Sequence, residues 1–524
     1  MKLRIGIDVG STHTDAVAID EKGAVIGGFK TRTTPDVTTG IINALTGLIS
    51  KYEIKPDDVV AIMFGTTHVL NALVQRRGLW KVGVIRIGKP ATTAITPMLD
   101  WPEDLRKAVG DIAIIVQGGH EYTGEPLASL DEDQVRAVAK RFKELGVNAV
   151  AISSVFSPVN PEHEIRAKEI VKEVLGDDVP VVLSHEIGTL GLLERENATI
   201  LNAATIGVMR RTISALRSSL EKLNLSHVKM FFAQNDGTTA SAEYIKNYPI
   251  FTVVAPISNS IRGAYVLTGI KDAIVVDTGG TTSNIGVLTK GYPREALEVD
   301  IAGVRTNIRA PDIVALGIAG GSIVNVSNGK VTVGPVSVGY ELITKGIAWG
   351  GNVITATDIA LAKGVMKIDD PKCDPERAKK LIDRDIVEKA YNYMVSKLEE
   401  AIDKVKTSPE PAVVILVGGG SAMWPRKLKG AKEIIRPEYA QFANAIGAAT
   451  ALVGAVVEKA FSYETIDRSK AMELTASEAR RKAIEAGADP NTVEIAEVEE
   501  IAMPYLPGTA VKIRVKAVGK LSIK

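Results

Sequence analysis

The chain has 524 residues, of which 45% are hydrophobic, 24% charged and 5% aromatic, and 63 basic against 62 acidic side chains leave a formal net charge of +1. This length predicts two to four domains, the composition is that of a folded globular chain, and the charge balance gives no support for a nucleic-acid or membrane-surface partner. A single cysteine, Cys373, excludes an internal disulfide and a cysteine-built metal cluster, and the six histidines show no zinc-type spacing.

Residues 3–9 read as a strand, 14–19 as its antiparallel partner after a tight turn, and 24–32 as a third strand. Residues 39–52 are helical by the spacing of Ile42, Leu45, Leu48 and Ile49. A short apolar strand over 59–64 precedes a helix over 65–77. Farther on come an amphipathic helix over 131–145, a buried strand over 149–155, a helix over 161–175 and a strand over 179–184. Residues 194–223 form a long helix in which Glu194, Arg195 and Glu196 are expected as exposed helix pairs. A strand over 228–234 is followed by a second hairpin, 274–277 with 285–288. Residues 299–338 read as a β-rich insertion and 377–405 as helix. Residues 412–417 are a buried strand running into three glycines, and 440–460 an alanine-rich helix. Residues 466–486 are helical and 494–524 read as a small β unit.

Alternating strands and helices of this kind mean an α/β architecture. The expected division is an N-terminal lobe (1–190), a second lobe (191–460) holding a β-rich insertion at about 295–355, and a small C-terminal α+β unit (461–524). No signal-peptide pattern opens the chain, and no apolar run approaches the roughly 20 residues that cross a bilayer, so the cytoplasm is the expected location.

One internal repeat organises the rest. LRIGIDVGSTHTDAVAI at 3–19 and AIVVDTGGTTSNIGVL at 273–288 align so that Asp8 matches Asp277, Gly10 matches Gly279, Thr12 matches Thr281 and Asp15 matches Asn284. Each copy is strand, Asp-x-Gly-small-Thr turn, strand, which suggests two related lobes facing one ligand. The bland reading, two ordinary hairpins with glycine turns, has to account for the same carboxylate at both strand ends.

A polyphosphate needs backbone N–H donors at close range, and a Cβ would block the approach. Gly10, Ser11, Thr12 and His13 in one turn, and Gly279, Gly280, Thr281 and Thr282 in the other, are the candidate phosphate binders. Asp8 and Asp277 are the candidate carboxylates for a hydrated Mg²⁺. Asp15 is a candidate orienter or base, or a turn-closing hydrogen-bond acceptor. Neither turn is a Walker loop, since no G-x-x-x-x-G-K-[ST] sequence is present. A third turn, Gly418, Gly419, Gly420 and Ser421, follows a buried strand and would let a flat base or ribose lie against the backbone. Trp424 either borders that base or closes the loop. His13 and His68 are candidates to face a substrate. Arg76 and Arg77 either reach an anionic ligand or form a solvated helix end, and Asp358 is expected to cap a helix.

That ordered set resembles the superfamily of sugar kinases, heat-shock chaperones and actin. The likeness implies two duplicated ribonuclease-H-like, actin-type ATPase lobes, two phosphate turns and a late adenosine turn, with ATP and Mg²⁺ as cofactors. A narrower resemblance, to the hydantoinase/oxoprolinase family, spans nearly the whole chain. Its D-V-G-G-T-x-T-D opening is similar to residues 8–15, and its G-T-T…N-A-L…R-R-G segment to 65–78. Its E-R…T…L-N-A segment is similar to residues from Glu194 to Ala203. Gly320-Gly321-Ser322, Val333-Gly334-Pro335, Thr357-Asp358 and the tail Pro504-Tyr505-Leu506-Pro507-Gly508 continue the match in order. Ser11, Phe64, Asn284 and the SNSIRG stretch at 258–263 depart from the family pattern.

The family likeness implies an ATP-dependent hydrolase subunit that phosphorylates the carbonyl oxygen of a cyclic amide or imide, hydantoin or 5-oxoproline in type. It also implies a second, hydantoinase B-type subunit for the hydrolytic step and an oligomeric assembly. Alternatives are an ATP-dependent ketone carboxylase subunit, a stand-alone small-molecule kinase, and a nucleotide-driven binding or chaperone module.

Overall fold

The structure is a computed structural model and describes residues 2–10, 12–34, 37–504 and 508–523. Ser11 and Tyr505 to Pro507, singled out above, lie outside the described residues. Strands β1 (Leu3–Val9), β2 (His13–Asp20) and β3 (Val25–Arg32) form an antiparallel meander, and β4 (Val59–Gly65) lies parallel to β1 on its other side. β1 and β4 are apolar on nearly every residue because both of their faces are covered.

The chain then builds a separate parallel sheet from β5 (Val82–Lys89), β6 (Ile112–Gln117), β7 (Ala149–Ser154) and β8 (Val181–Leu183), in the order β6-β5-β7-β8. A 31-residue helix, Leu192–Lys222, returns it to β9 (Lys229–Ala233), which pairs parallel with β4. The result is the order β3-β2-β1-β4-β9, a ribonuclease-H-like sheet. The helix is buried on most sides, and this corrects one sequence expectation. Arg195 and Glu196 are each only 1% exposed rather than on a solvated face. Glu196 pairs with Arg86 at 2.5 Å, and Arg195 donates to the carbonyls of Ser154 and Thr189. Buried charges persist only when paired and hydrogen-bonded in this way.

After β10 (Thr239–Ser241) the same design recurs. β11 (Ala273–Thr278), β12 (Ser283–Thr289) and β13 (Tyr292–Pro293) are antiparallel, and β14 (Ala412–Val417) and β15 (Ala431–Ile435) lie parallel beyond β11, giving β13-β12-β11-β14-β15. The insertion between them is β-rich as expected, with three two-stranded ribbons including Ser322–Ser327 with Lys330–Ser337.

Strand pairing runs across the expected boundaries. β9 and β10 join the first sheet. So do β16 (Val453–Ser462), β17 (Glu494–Ala502) and β18 (Ala510–Gly519), which extend it to nine strands. The helix expected over 440–460 is therefore shorter. It covers Ala443–Thr450, and the Val-Gly-Ala-Val-Val run that follows pairs with β18 as strand. Tertiary pairing along ten residues overrides the helix propensity of alanine there.

Two helices cross between the sheets, Ala255–Thr268 and Ala443–Thr450. A Cβ on Gly263 would overlap the Ala443 carbonyl, one on Gly447 the Asn259 carbonyl, and one on Gly6 the Ala445 carbonyl. Their glycines let the backbones touch, so the lobes meet closely.

Candidate functional site

Register places the first set of charges. Asp8 on β1 stands opposite Asp15 on β2, and Asp15 stands opposite Lys30 on β3. Directly opposed residues share a face, so the three side chains lie in a row at one edge of the sheet. Lys30 Nζ donates to Asp15 Oδ2 at 2.6 Å and sits 5.7 Å from the Phe442 ring centroid. Asp15 is buried, 7% exposed. On the far side of Asp8, β4 presents Gly65, whose missing side chain leaves room for the Asn259 and Asn444 amides.

The turns after β1 and β11 close alike. Gly10 N donates to His13 O at 2.9 Å, and Gly279 N to Thr282 O at 3.0 Å. Thr33 braces the first, its hydroxyl donating to Gly10 O at 2.8 Å. The second is braced by the Gly-Gly-Ser segment, where Gly320 N donates to Gly279 O and Gly321 N to Gly280 O. The two turns touch, since a Cβ on Gly280 would lie 2.8 Å from Thr12 Cγ2. The candidate residues of the first and second turns, other than Ser11, are thus brought to one cleft between the lobes.

The carboxylates in that cleft feel one another. Asp8 is pushed well above the ordinary carboxylate range by desolvation, then by the negative charges of Asp15 and Asp277, against the pull of Lys30. Its Oδ1 is enclosed and has no hydrogen-bond partner. Asp277 is raised by desolvation and by Asp15, opposed by a 2.6 Å hydrogen bond from Ser260 Oγ and by Lys30. Asp15 is raised by burial, opposed by Lys30. His13, on the cleft surface, is lowered to about 4 by crowding and then by Lys30 and Arg32. It is neutral at pH 7 and can only offer a hydrogen bond to an anion.

The third turn packs directly behind the second. Gly418 has φ +86, and a Cβ on it would run into Asp277 Oδ1. Gly420 N donates to Thr278 O at 2.8 Å, and Gly420 and Ser421 are buried. Gly419 alone is open, with nothing within 4 Å of an added Cβ. Trp424 does not border the turn's open side. It is 1% exposed and donates Nε1 to Thr278 Oγ1 at 2.7 Å, so it anchors the second turn from beneath. Arg76 ends its helix and pairs with Asp104 at 3.0 Å, away from the cleft. Asp358 completes a capping box with Thr355, as expected of a cap, and is fully buried.

Lys30, Ser260 and the buried amides of Asn259 and Asn444, whose Asn259 Nδ2 and Oδ1 and Asn444 Oδ1 have no hydrogen-bond partner, were not among the sequence candidates. Asn259 and Ser260 belong to the SNSIRG stretch, where a polar run inside a buried helix was an available signal. Among the described residues no group of three His, Cys, Asp or Glu side chains could hold a metal by itself, and no helix is long and apolar enough to cross a membrane.

The family model described as hydantoinase/oxoprolinase N-terminal region matches residues 4–175, and that described as hydantoinase/oxoprolinase matches residues 195–457. Caprolactamase subunit alpha of Pseudomonas jessenii is 32% identical over 69% of this chain and 54% of its own length. The acetophenone carboxylase gamma subunit of Aromatoleum aromaticum is 27% identical over 70% of this chain and 53% of its own. The chain therefore spans about half the length of these curated relatives. In three dimensions it resembles the crystal structure of the ATP-dependent caprolactamase of Pseudomonas jessenii, with a TM-score of 0.78 and 21% identity over 99% of this chain and 88% of the other, a likeness of fold.

Proposed function

The chain belongs to the hydantoinase/oxoprolinase family, and from that premise we propose that it is the ATP-using subunit of an enzyme that opens a cyclic amide or imide. The observation that carries this reading is the contact of Thr12 with Gly280, which joins two phosphate-type turns around Asp8, Asp15, Asp277 and Lys30. The likeness to an ATP-dependent caprolactamase supports it.

An amide carbonyl is a poor electrophile. Its oxygen attacks the γ-phosphorus of ATP, ADP leaves, and the carbon becomes reactive to water. Water then adds at that carbon, the C–N bond breaks with protonation of nitrogen to leave an acyl phosphate, and a second water hydrolyses it to carboxylate and inorganic phosphate. The work of this chain is positioning and charge neutralisation. Backbone N–H groups and hydroxyls of Thr12 and residues 280–282 bind phosphate oxygens, the Gly10 and Gly279 N–H groups hold the two turns closed beneath them, and Ser11 completes the first turn in sequence. Gly419 supplies the open backbone against which the adenosine lies.

Asp8 and Asp277 would hold Mg²⁺, and the enclosed, unpartnered Oδ1 of Asp8 fits a cation. Two carboxylates suit this ion, which would keep part of its water shell. When bound, Mg²⁺ supplies neutralisation of phosphate charge. Asp15 is engaged by Lys30, so its role is to hold that ammonium toward the phosphates rather than to act as base. A second subunit completes the ring opening, and both relatives named above are themselves subunits.

The test is ADP release by the full chain, with and without a co-expressed candidate second subunit, against hydantoin, 5-oxoproline and caprolactam, and against a ketone with bicarbonate. Cyclic-amide-dependent ADP release and ring opening are expected with the partner present. Stimulation by ketone and bicarbonate alone would make the chain a carboxylase subunit. A stable phosphorylated product without the partner would make it a kinase.

A further inference from the structure

A cavity of about 520 Å³ lies away from the glycine turns, between β16, the helix Arg468–Glu485 and the loops after β7 and β8. None of its lining residues belongs to the three turns. Along the first sheet, β4, β9 and β10 separate β1 from β16, so at ~4.8 Å per strand the two regions stand roughly 19 Å apart. The volume is that of a small-molecule pocket.

Most charges around it are already matched. Glu458 pairs with Arg309 and Lys512, each at 2.9 Å, Glu478 with Lys459, and Asp236 with Lys516 at 3.2 Å. Two lining charges are not matched in this way, and a third group keeps one ring nitrogen for a ligand. Lys482 is half-buried and has no carboxylate within ion-pair distance among the described residues, though Glu478, one turn away on its helix, and Glu186 lie near enough to act on its charge. Glu186 has no cation at ion-pair distance among the described residues, and accepts a hydrogen bond only from Tyr248 at 3.1 Å.

His185 is the third. Its Nδ1 is 2.6 Å from Oε2 of Glu164, a carboxylate that is 0% exposed and that also accepts from Ser154 N at 2.9 Å and from Ser184 Oγ. A carboxylate on Nδ1 fixes the proton there and leaves the Nε2 lone pair for a donor in the cavity. Ile187, Phe251, Val457 and Leu474 supply an apolar wall.

A cation and two acceptors, set beside an apolar wall among charges already matched, are complementary to one ligand class. We propose that this cavity is a second small-molecule site, for an amino acid whose carboxylate meets Lys482 and whose ammonium meets Glu186 and Nε2 of His185. The ligand leaves neither half-buried charge unpaired, which is costly for either alone. The assignment of the site stands without the nucleotide chemistry. One extension rests on the proposed function: opening a lactam yields a carboxylate and an amino group on one chain, so the product of that reaction belongs to the class this cavity accepts.

The test is calorimetric titration of the full chain with glutamate, 4-aminobutanoate and 6-aminohexanoate. At least one is expected to bind, and its analogues lacking either the amino or the carboxylate group to bind at least about tenfold more weakly. Lys482→Met and Glu186→Gln should each weaken binding by about tenfold or more, whereas Asp277→Asn should leave the titration unchanged. No binding of any of the three by the wild type, or undiminished binding by Lys482→Met, overturns the site. Unfolding midpoints establish that the variants are folded. If Glu186→Gln is not, Lys482→Met decides alone, because among the described residues it removes no hydrogen bond or ion pair. Failure here is separable from failure of the nucleotide reading, which cyclic-amide-dependent ADP release measures by itself.

Discussion

In the first hairpin the strand-end carboxylate Asp8 faces Asp15, and Asp15 faces Lys30. In the second, Asp277 faces Asn284, and Asn284 faces Ala315 on the segment Ile313–Leu316. The backbones are copies of each other, down to the Gly N–H that closes each turn on a carbonyl three residues on. The charges are not copies. The first lobe carries two acids and a lysine across its row, and the second carries one acid steadied by the Ser260 hydroxyl. Duplication thus supplies a symmetric cradle, while the asymmetric side chains decide where positive and negative charge sit within it. Two full Asp-Asp rows would place four buried carboxylates in one cleft, and like charges at that range resist ionisation together.

The largest expected effect breaks the part the lobes share. Asp8→Asn and Asp277→Asn should each lower Mg-ATP turnover by about 10²–10³-fold, the size typical for loss of a preorganised charge, with the fold kept as judged by circular dichroism. Normal turnover in both would remove the paired-carboxylate site.

A smaller effect sharpens the difference between the lobes. Asn284→Asp restores the repeat but gives Asp277 a new acidic neighbour with Ala315 where the first lobe has Lys30. Asp277 is already raised, so it should rise further and demand a higher pH for ionisation. Turnover should fall about tenfold at pH 7 and its acid limb should move upward, and Ala315→Lys added to Asn284→Asp should return both toward wild type. An unmoved acid limb in the single variant would show that Asp277 does not titrate in the reaction.

The smallest effect is on stability. A carboxyl raised in the folded state binds more protons there than in the unfolded chain, so its ionisation destabilises the fold as pH rises through the folded value. Asp8→Asn should therefore stabilise the nucleotide-free protein by about 1 kcal/mol at pH 8. That gain should shrink once pH falls below the raised Asp8 value and vanish near the ordinary value of 3.8, where the acid is neutral in the folded and unfolded chain alike. Urea unfolding at pH 8 and pH 4 measures it, and an equal gain at both would mean that packing rather than charge is responsible.

Much of the site was legible because it is local. Asp8, Gly10 and Thr12, and their counterparts Asp277, Gly279 and Thr281, lie within turns whose backbone the glycines dictate. Lys30 was not legible, for a physical reason. Counting back from the loop with Ile19 opposite Val25 would set Phe29 opposite Asp15. The register shifts between Ala18 and Ile19, and that slip brings Lys30 to Asp15 instead. A one-residue slip moves every side chain to the other face. Arg195 misled in the opposite sense, because a large polar-tipped side chain on a long helix reads as accessible until its neighbours bury it, and of the two readings open for Trp424 burial removes only the one beside a base.

By itself, then, the order of residues determined the repeated hairpins, the glycine turns, the carboxylates at their strand ends and the family to which the chain belongs, since each is written within a few consecutive positions. Only the tertiary structure decided that Thr12 meets Gly280, that Lys30 and Ser260 steady the acids, that residues 453–519 widen the first sheet, and that His185, Glu186 and Lys482 line a second cavity. Those choices depend on register and on glycine-mediated contact between helices hundreds of residues from the first turn, where the energy is set by which atoms come close and not by which residues are adjacent in the chain.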